Sequence, residues 1–192
     1  GRNSAIRKRL VEGAGAIAEA ARQIALVSDV PMRNARRPLF LAEARAAAHY
    51  WQAFASLVPP SFGFTRRHHR EANDVVNKAL NYGYALLLSR VWLAVHRSGL
   101  EPTLGLLHTG RRRSAGLVFD LMEPFRQPVV DKAVLGLIGR GAKLELKEKQ
   151  DLTLRTRALL QQAIGRRLGP ARKGTAPGLL HDIQRETLGF RQ

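Results

Sequence analysis

Apolar residues recur along most of this chain three or four positions apart, the spacing of one face of a helix, and alternate with period two almost nowhere. The first such repeat runs from 6 to about 27 through Ile6, Leu10, Ala14, Ile17, Ala21 and Ile24, and stops before Asp29-Val30-Pro31. A second helix is expected to start near Pro38, which a first turn tolerates, and to end before Pro59-Pro60. Its expected core stripe is Leu39, Glu43, Ala46, Tyr50, Ala53, Phe54 and Leu57. A polar loop from 59 to 72 carries Arg66-Arg67-His68-His69-Arg70, after which Asn73 or Asp74 caps a long helix that Gly99 stops. That helix is apolar nearly all round, which places it in the middle of a bundle. An irregular stretch from 102 to 113 leads to a short helix at about 117–125, and Pro128 opens another that ends at Gly139. Residues 152–168 form an amphipathic helix closed by Gly169-Pro170. A linker made basic by Arg172 and Lys173 then precedes a last helix capped by Thr175-Ala176-Pro177. The predicted fold class is all-α, a multi-helix bundle in a single domain over 1–192. It divides into a leading helix and turn (1–35), a core (36–140) and C-terminal helices with a basic tail (141–192).

Polar residues stand at some positions where this pattern wants apolar ones. Glu43 falls between Leu39 and Ala46 in the expected stripe, and a bare carboxylate there needs a cation, a metal or water beside it. An ion pair with one of the many arginines would serve as well. Asp120 and Glu123, three apart among Phe119, Leu121, Met122 and Phe125, share a helix face. Carboxylates converging on one point repel unless a cation lies between them, and oxygen-rich sites suit Mg²⁺ or Mn²⁺. The alternative is that negative charge is simply favoured in the first turn of a helix, which would account for Asp120 better than for Glu123. His108 follows an apolar run just upstream; alone it reads equally as a hydrogen-bonded core residue. His49, His68, His69, His96 and His181 show no ligand spacing and are assigned no metal. Together, a Glu from one helix, a His from a loop and two carboxylates from the next helix are what metal-assisted phosphodiester chemistry uses.

Composition narrows the partner. The 192 residues are 45% hydrophobic and 24% charged, the balance of a globular chain, yet their net charge is +17. So large an excess opposes compaction unless a polyanion neutralises it, and nucleic acid is the first candidate. Cysteine is absent, which excludes disulfides and thiolate zinc sites and fits a cytoplasmic protein. No apolar run would span a bilayer, so no membrane partner is expected. The start, Gly1-Arg2-Asn3-Ser4, has neither an initiator Met nor a signal-peptide core, and Glu12 and Glu19 argue against a transit peptide. A chain that begins in mid-helix is expected to be a piece of something longer.

Three linked segments carry a family resemblance. Asn77-Lys78-Ala79-Leu80-Asn81-Tyr82-Gly83-Tyr84 is followed by Gly99-Leu100-Glu101-Pro102-Thr103-Leu104-Gly105-Leu106-Leu107-His108. Phe119-Asp120-Leu121-Met122-Glu123-Pro124-Phe125-Arg126 comes next, with Val130-Asp131 after it. Preceded by Glu43, Ala47 and Tyr50-Trp51, these resemble the CRISPR-associated integrase of spacer acquisition, the universal adaptation nuclease, most strongly from about 40 to 131. The resemblance implies the C-terminal helical catalytic domain of that family, its N-terminal β domain absent, hence either a fragment or a compact member. It implies that Glu43, His108 and Glu123 are metal ligands for Mg²⁺ or Mn²⁺ and that Asp120 supports the catalytic site. Asn77, Asn81 and Tyr84 would stand behind the ligands or face DNA; read from the residues alone they serve equally as polar groups that pack the helix. Arg111, Arg112, Arg113 and Arg126 would hold the DNA backbone, although an Arg run is as readily a solvated surface. The basic segment 166–192 would guide DNA or be a solvated tail.

The implied function is a metal-dependent endonuclease and integrase of a bacterial or archaeal cytoplasm. It would join the 3′-hydroxyl of a prespacer duplex to a CRISPR repeat by transesterification during spacer acquisition. Its partners would be double-stranded DNA, further copies of itself and the small ferredoxin-like adaptation subunit. The rival is a non-catalytic basic helical DNA-binding module, indifferent to chelators but sensitive to salt. An RNA-binding role is remoter, because exposed segments carry few aromatics for stacking.

Overall fold

The computed structural model describes residues 2–25, 32–70, 72–105, 115–148, 151–169, 185 and 189. The described elements are helical, as the all-α reading requires, and the one β feature among them is an isolated antiparallel bridge between Leu146 and Leu152. The helix expected beyond Thr175 lies outside the described residues except at Arg185 and Gly189, both helical. The chain divides into two compact units, Gly1–His68 and His69–Gln192, and the boundary falls inside the segment grouped above as the core.

The first unit is a helical hairpin of α1 (Arg2–Ala25) and α2 (Met32–Leu57), followed by a 3-10 turn (Pro60–Phe62). Its interface is built on small residues rather than on the large apolar stripe the spacing suggested. Gly13, Ala20, Ala42 and Ala53 are buried, while Leu10 and Ile17 stay exposed. A Cβ on Gly13 would lie 3.6 Å from the Ala53 Cβ and 3.5 Å from the His49 carbonyl oxygen. Backbones that approach this closely bury the Gly and Ala ridges and turn the longer side chains outward. The same rotation of α2 puts Glu43 on the exposed side of the helix, so it is not the buried stripe residue it was expected to be. α2 also begins earlier than Pro38, which sits inside it; the fixed φ of proline is helical, and only one ladder bond is lost. At the far end an aromatic cluster folds the chain back on itself. Trp51 and Phe54 lie 5.2 Å apart, Phe54 and Phe64 5.3 Å, and Gly63 makes the turn between them at a φ of 66°.

The second unit packs around α3 (Val75–Arg97). Asp74 caps it by accepting the Asn77 N–H, and Gly99, at a φ of 68°, ends it. Val76, Leu80, Leu87, Val91 and Val95 are fully buried against α4 (Gly116–Phe125), a π-helical turn (Arg126–Asp131), α5 (Lys132–Gly139) and α6 (Leu154–Leu168). The central position expected for α3 is therefore observed, but not the all-round burial: Trp92 and Leu93 are exposed, and Trp92 packs on its own neighbour His96.

The expected break between the helices at 117–125 and 128–139 does not occur. Pro124 and Pro128 lack the N–H groups that an α ladder would use, and the helix continues through them by widening into the π turn. Within it the Lys132 N–H goes back to the Gln127 carbonyl, five residues away. In an α ladder that N–H would take the Pro128 carbonyl. Arg167 of α6 supplies the replacement: its Nη1 donates to the Pro128 oxygen at 3.1 Å and its Nη2 to the Lys132 oxygen at 3.3 Å.

Gly83 seats α3 against this turn. A Cβ there would lie 2.5 Å from Val130 Cγ1 and 3.1 Å from Ile164 Cδ1, so any side chain forces Val130 or α3 to shift. Gly83→Val should cost about 1–3 kcal/mol in urea unfolding, the usual range for overpacking. Gly15→Ala, on the exposed face of α1 with nothing within 4 Å, should instead stabilise by about 0.5–1 kcal/mol. Equal effects at the two glycines would refute the close-packing account.

Candidate metal and DNA site

The sequence-predicted residues fall into three groups. Glu43 belongs to the first unit. His108 and the run Arg111, Arg112 and Arg113 lie outside the described residues, as do Arg172 and Lys173 of the basic linker. Asp120, Glu123, Arg126, Asn77, Asn81 and Tyr84 all belong to the second unit, and α3, α4 and the π turn gather them.

α4 starts at Gly116, so Asp120 is its fifth residue and lies past the first turn. The dipole account of that carboxylate loses its basis, since the stabilising effect fades beyond the first turn. Asp120 and Glu123 are both half-buried on a helix whose other side carries Leu117, Val118, Leu121 and Met122 into the core. Glu123 accepts a hydrogen bond from Arg126, Oε1 to Nη1 at 2.7 Å, with about a third of each side chain exposed. The Arg126 guanidinium lies over the Tyr84 ring, 4.5 Å from its centroid. Tyr84 is buried, and its hydroxyl donates to the Asp131 carboxylate, which is 1% exposed. A continuous polar path thus runs from Glu123 through Arg126 and Tyr84 to Asp131, bridging α4, α3 and the π turn.

Asn77 and Asn81 both make hydrogen bonds that secure the start of α3. Asn77 is fully buried; its Nδ2 donates to Asp74 Oδ2 at 2.7 Å while its N–H takes Oδ1 at 2.8 Å, closing the start of α3. The Asn81 Nδ2 donates to the His69 carbonyl at 3.0 Å and ties the incoming loop to the same helix. Downstream of α3, Glu101 accepts from the Thr103 hydroxyl at 2.8 Å and from its N–H at 3.2 Å. These bonds hold its carboxyl below the ordinary range. They are therefore in force above the usual carboxylate pKa and weaken as pH falls through the lowered one.

Neither Asp131, named only within the resemblance, nor Arg167 was given a role from the sequence. Asp131 stands in Val129-Val130-Asp131-Lys132-Ala133-Val134, an acid among apolar residues, which is the signal that was applied to Glu43. Arg167 gave no signal, because its nearer partner, the Pro128 carbonyl, is freed by a turn that no periodicity announces. As to a metal, the half-buried carboxylates of Asp120 and Glu123 are donors of the type a hard divalent cation takes. Among the described residues, however, no three His, Asp or Glu side chains converge on one point.

Comparison with known proteins places this geometry in context. The family model described as CRISPR associated protein Cas1 matches residues 2–166, and the chain belongs to that family. A relative from Thermus thermophilus, named a CRISPR-associated endonuclease Cas1, is 51% identical over 100 residues, which is 52% of this chain and 31% of that protein. The chain thus spans about a third of the length of the curated relatives it matches. A casposase solved bound to its integration product superimposes with a TM-score of 0.71 and 27% identity over 81% of this chain and 46% of its own. A partial Cas6-RT-Cas1–Cas2 complex superimposes with a TM-score of 0.69 over 81% of this chain and 49% of its own; at 22% identity it speaks for the fold. Among the described residues no helix is long and apolar enough to cross a membrane.

The Tyr84 to Asp131 bond predicts a measurable cost. Tyr84→Phe keeps the ring under Arg126 but removes a hydrogen bond to a buried carboxylate. It should destabilise the protein by about 1.5–3 kcal/mol in urea unfolding. Tyr82→Phe, which among the described residues removes only the bond from the exposed Gln161 amide to the hydroxyl, should cost less than about 0.5 kcal/mol. A Tyr84→Phe protein as stable as the parent would show that Asp131 does not depend on that hydroxyl.

Proposed function

We propose that this chain is the helical catalytic part of a metal-dependent DNA endonuclease and integrase that joins prespacer ends to a CRISPR repeat. The observation that carries the reading is the family match across residues 2–166, combined with the half-buried acidic pair of α4 inside it. The likeness to a casposase solved with its integration product supports DNA joining rather than hydrolysis alone.

In this reading Glu43, His108 and Glu123 hold Mg²⁺ or Mn²⁺ and Asp120 supports them. The bound cation supplies Lewis acidity at the scissile phosphate and lowers the pKa of the attacking hydroxyl. The rest falls to the chain. The 3′-oxygen of the prespacer forms a bond to phosphorus, while the bond from phosphorus to the bridging 3′-oxygen of the repeat strand breaks. One phosphodiester replaces another, so the exchange needs no energy source. Arg111, Arg112, Arg113 and Arg126 hold phosphates on either side, and the net charge of +17 draws the duplex in. Asn77, Asn81 and Tyr84 act behind the site, through α3, rather than on DNA. A homo-oligomer and a small ferredoxin-like Cas2 subunit complete the assembly; the Cas1–Cas2 complex among the structural neighbours supports that partner. The setting is the cytoplasm of a bacterium or archaeon.

The rival, a non-catalytic basic module, accounts for the charge but not for the acidic pair. The two separate on a labelled duplex with a repeat target. Nicking and strand joining should be abolished by EDTA and restored by Mn²⁺, and His108→Ala or Glu123→Gln should lower the rate by about 100-fold or more. Binding with the full salt dependence of phosphate contact, together with no chelator-sensitive chemistry, would establish the rival instead.

A further inference from the structure

Arg126 is held in two independent ways. Its Nη1 donates to Glu123 at 2.7 Å, and its guanidinium lies 4.5 Å over the ring of Tyr84, which the hydroxyl bond to buried Asp131 keeps in place. If Glu123 lets go, the stack on Tyr84 still fixes the plane of the guanidinium, because attraction to the ring face does not depend on the carboxylate. The arrangement also leaves one donor unused: the Arg126 Nε is buried and has no hydrogen-bond partner among the described residues. A buried donor without an acceptor is costly, and a single carboxylate oxygen on Nη1 does not relieve it. A phosphate offers several acceptor oxygens in the geometry that a guanidinium fork matches. About a third of the Arg126 side chain remains exposed, so a phosphate can approach the guanidinium from that side, whereas the Nε itself stays buried.

We infer that Arg126 couples cation binding to phosphate binding: it neutralises Glu123 in the cation-free protein and is freed for DNA phosphate when a divalent cation takes that carboxylate. The inference rests on the reading of Glu123 as a cation ligand. Its consequence is reciprocal, since an event that raises affinity at one site must do the same at the other. The sign is distinctive. Divalent cations ordinarily weaken protein–DNA binding by competing for phosphates, whereas here they strengthen it.

Two titrations on the full 192-residue chain test this. In the first, Mn²⁺ binding is followed by electron paramagnetic resonance without DNA. Glu123→Gln should lose the site, Arg126→Gln should bind Mn²⁺ about fivefold to tenfold tighter because its competitor is gone, and Arg126→Lys should stay within about twofold of the parent. In the second, a short fluorescein-labelled duplex is titrated at constant ionic strength with and without Ca²⁺. The parent should bind DNA about fivefold tighter with Ca²⁺. Arg126→Gln should lose that gain, and Arg126→Lys should lose it too, because a lysine released from Glu123 has no planar stack to hold it over Tyr84. Thermal melts confirm that each variant is folded; Arg126→Lys carries the test if Arg126→Gln does not fold. Mn²⁺ binding that ignores Glu123→Gln would overturn both the cation-ligand reading and this coupling. Mn²⁺ binding through Glu123, with a Ca²⁺ gain undiminished in Arg126→Lys or Arg126→Gln, would overturn the coupling alone.

Discussion

Where α3 crosses the π turn, Gly83 lets the Val130 side chain come so near that a methyl group in place of its hydrogen would meet Cγ1 at 2.5 Å. That approach sets the distance at which the next residue, Tyr84, reaches Asp131 with its hydroxyl, and Tyr84 in turn is the platform on which Arg126 lies beside Glu123. The order of dependence runs from a steric fact in the core to the charge arrangement at the surface. A residue lacking a side chain is thus the remote condition for the orientation of a carboxylate about two helical turns away along another element.

The polar groups of this unit fall into those that complete the helices and those that stand where the helices meet solvent. Asp74, Asn77 and Asn81 complete the start of α3, and Arg167 takes the Pro128 carbonyl that the π turn frees, together with that of Lys132. Such groups are fully engaged, and their burial is tolerated because their bonds are made. Asp120, Glu123 and Arg126 differ: they are half-buried, charged, and set where an apolar helix meets solvent. Partial burial strengthens their mutual electrostatics beyond what a fully exposed pair would show, yet leaves room for exchange with an incoming ligand.

Much of this was legible in the chain. Helix type, the cap at Asp74, the stop at Gly99 and the central place of α3 follow from spacing and from residues whose conformational preferences are strong. The α4 acidic pair was legible because two carboxylates in an apolar context are rare. Helix phase was not legible. Glu43 looked buried because the stripe was drawn through the largest side chains, whereas α1 and α2 meet on Gly and Ala, which carry no such signal. The same reasoning applied to Asp131 would have succeeded, since its neighbours are large and β-branched and do fix the phase. The π turn escaped because Pro124 and Pro128 read as terminators. Whether a proline ends a helix or widens it depends on what can satisfy the freed carbonyls, and here that is Arg167, 39 residues further on.

A π turn also changes what the segment tolerates over evolutionary time. Apart from Asp131, whose carboxylate the Tyr84 hydroxyl needs, its residues can be exchanged for others of similar bulk, but their number is fixed. Deleting one between Arg126 and Asp131 would close the wide turn into an unbroken α ladder and shift the residues within it by about 100° against α3. Val130 would leave Gly83, Asp131 would leave Tyr84, and Arg167 would find no free carbonyl. The segment from Glu123 to Asp131 therefore behaves like a reading frame, permissive of spelling and intolerant of insertion or loss.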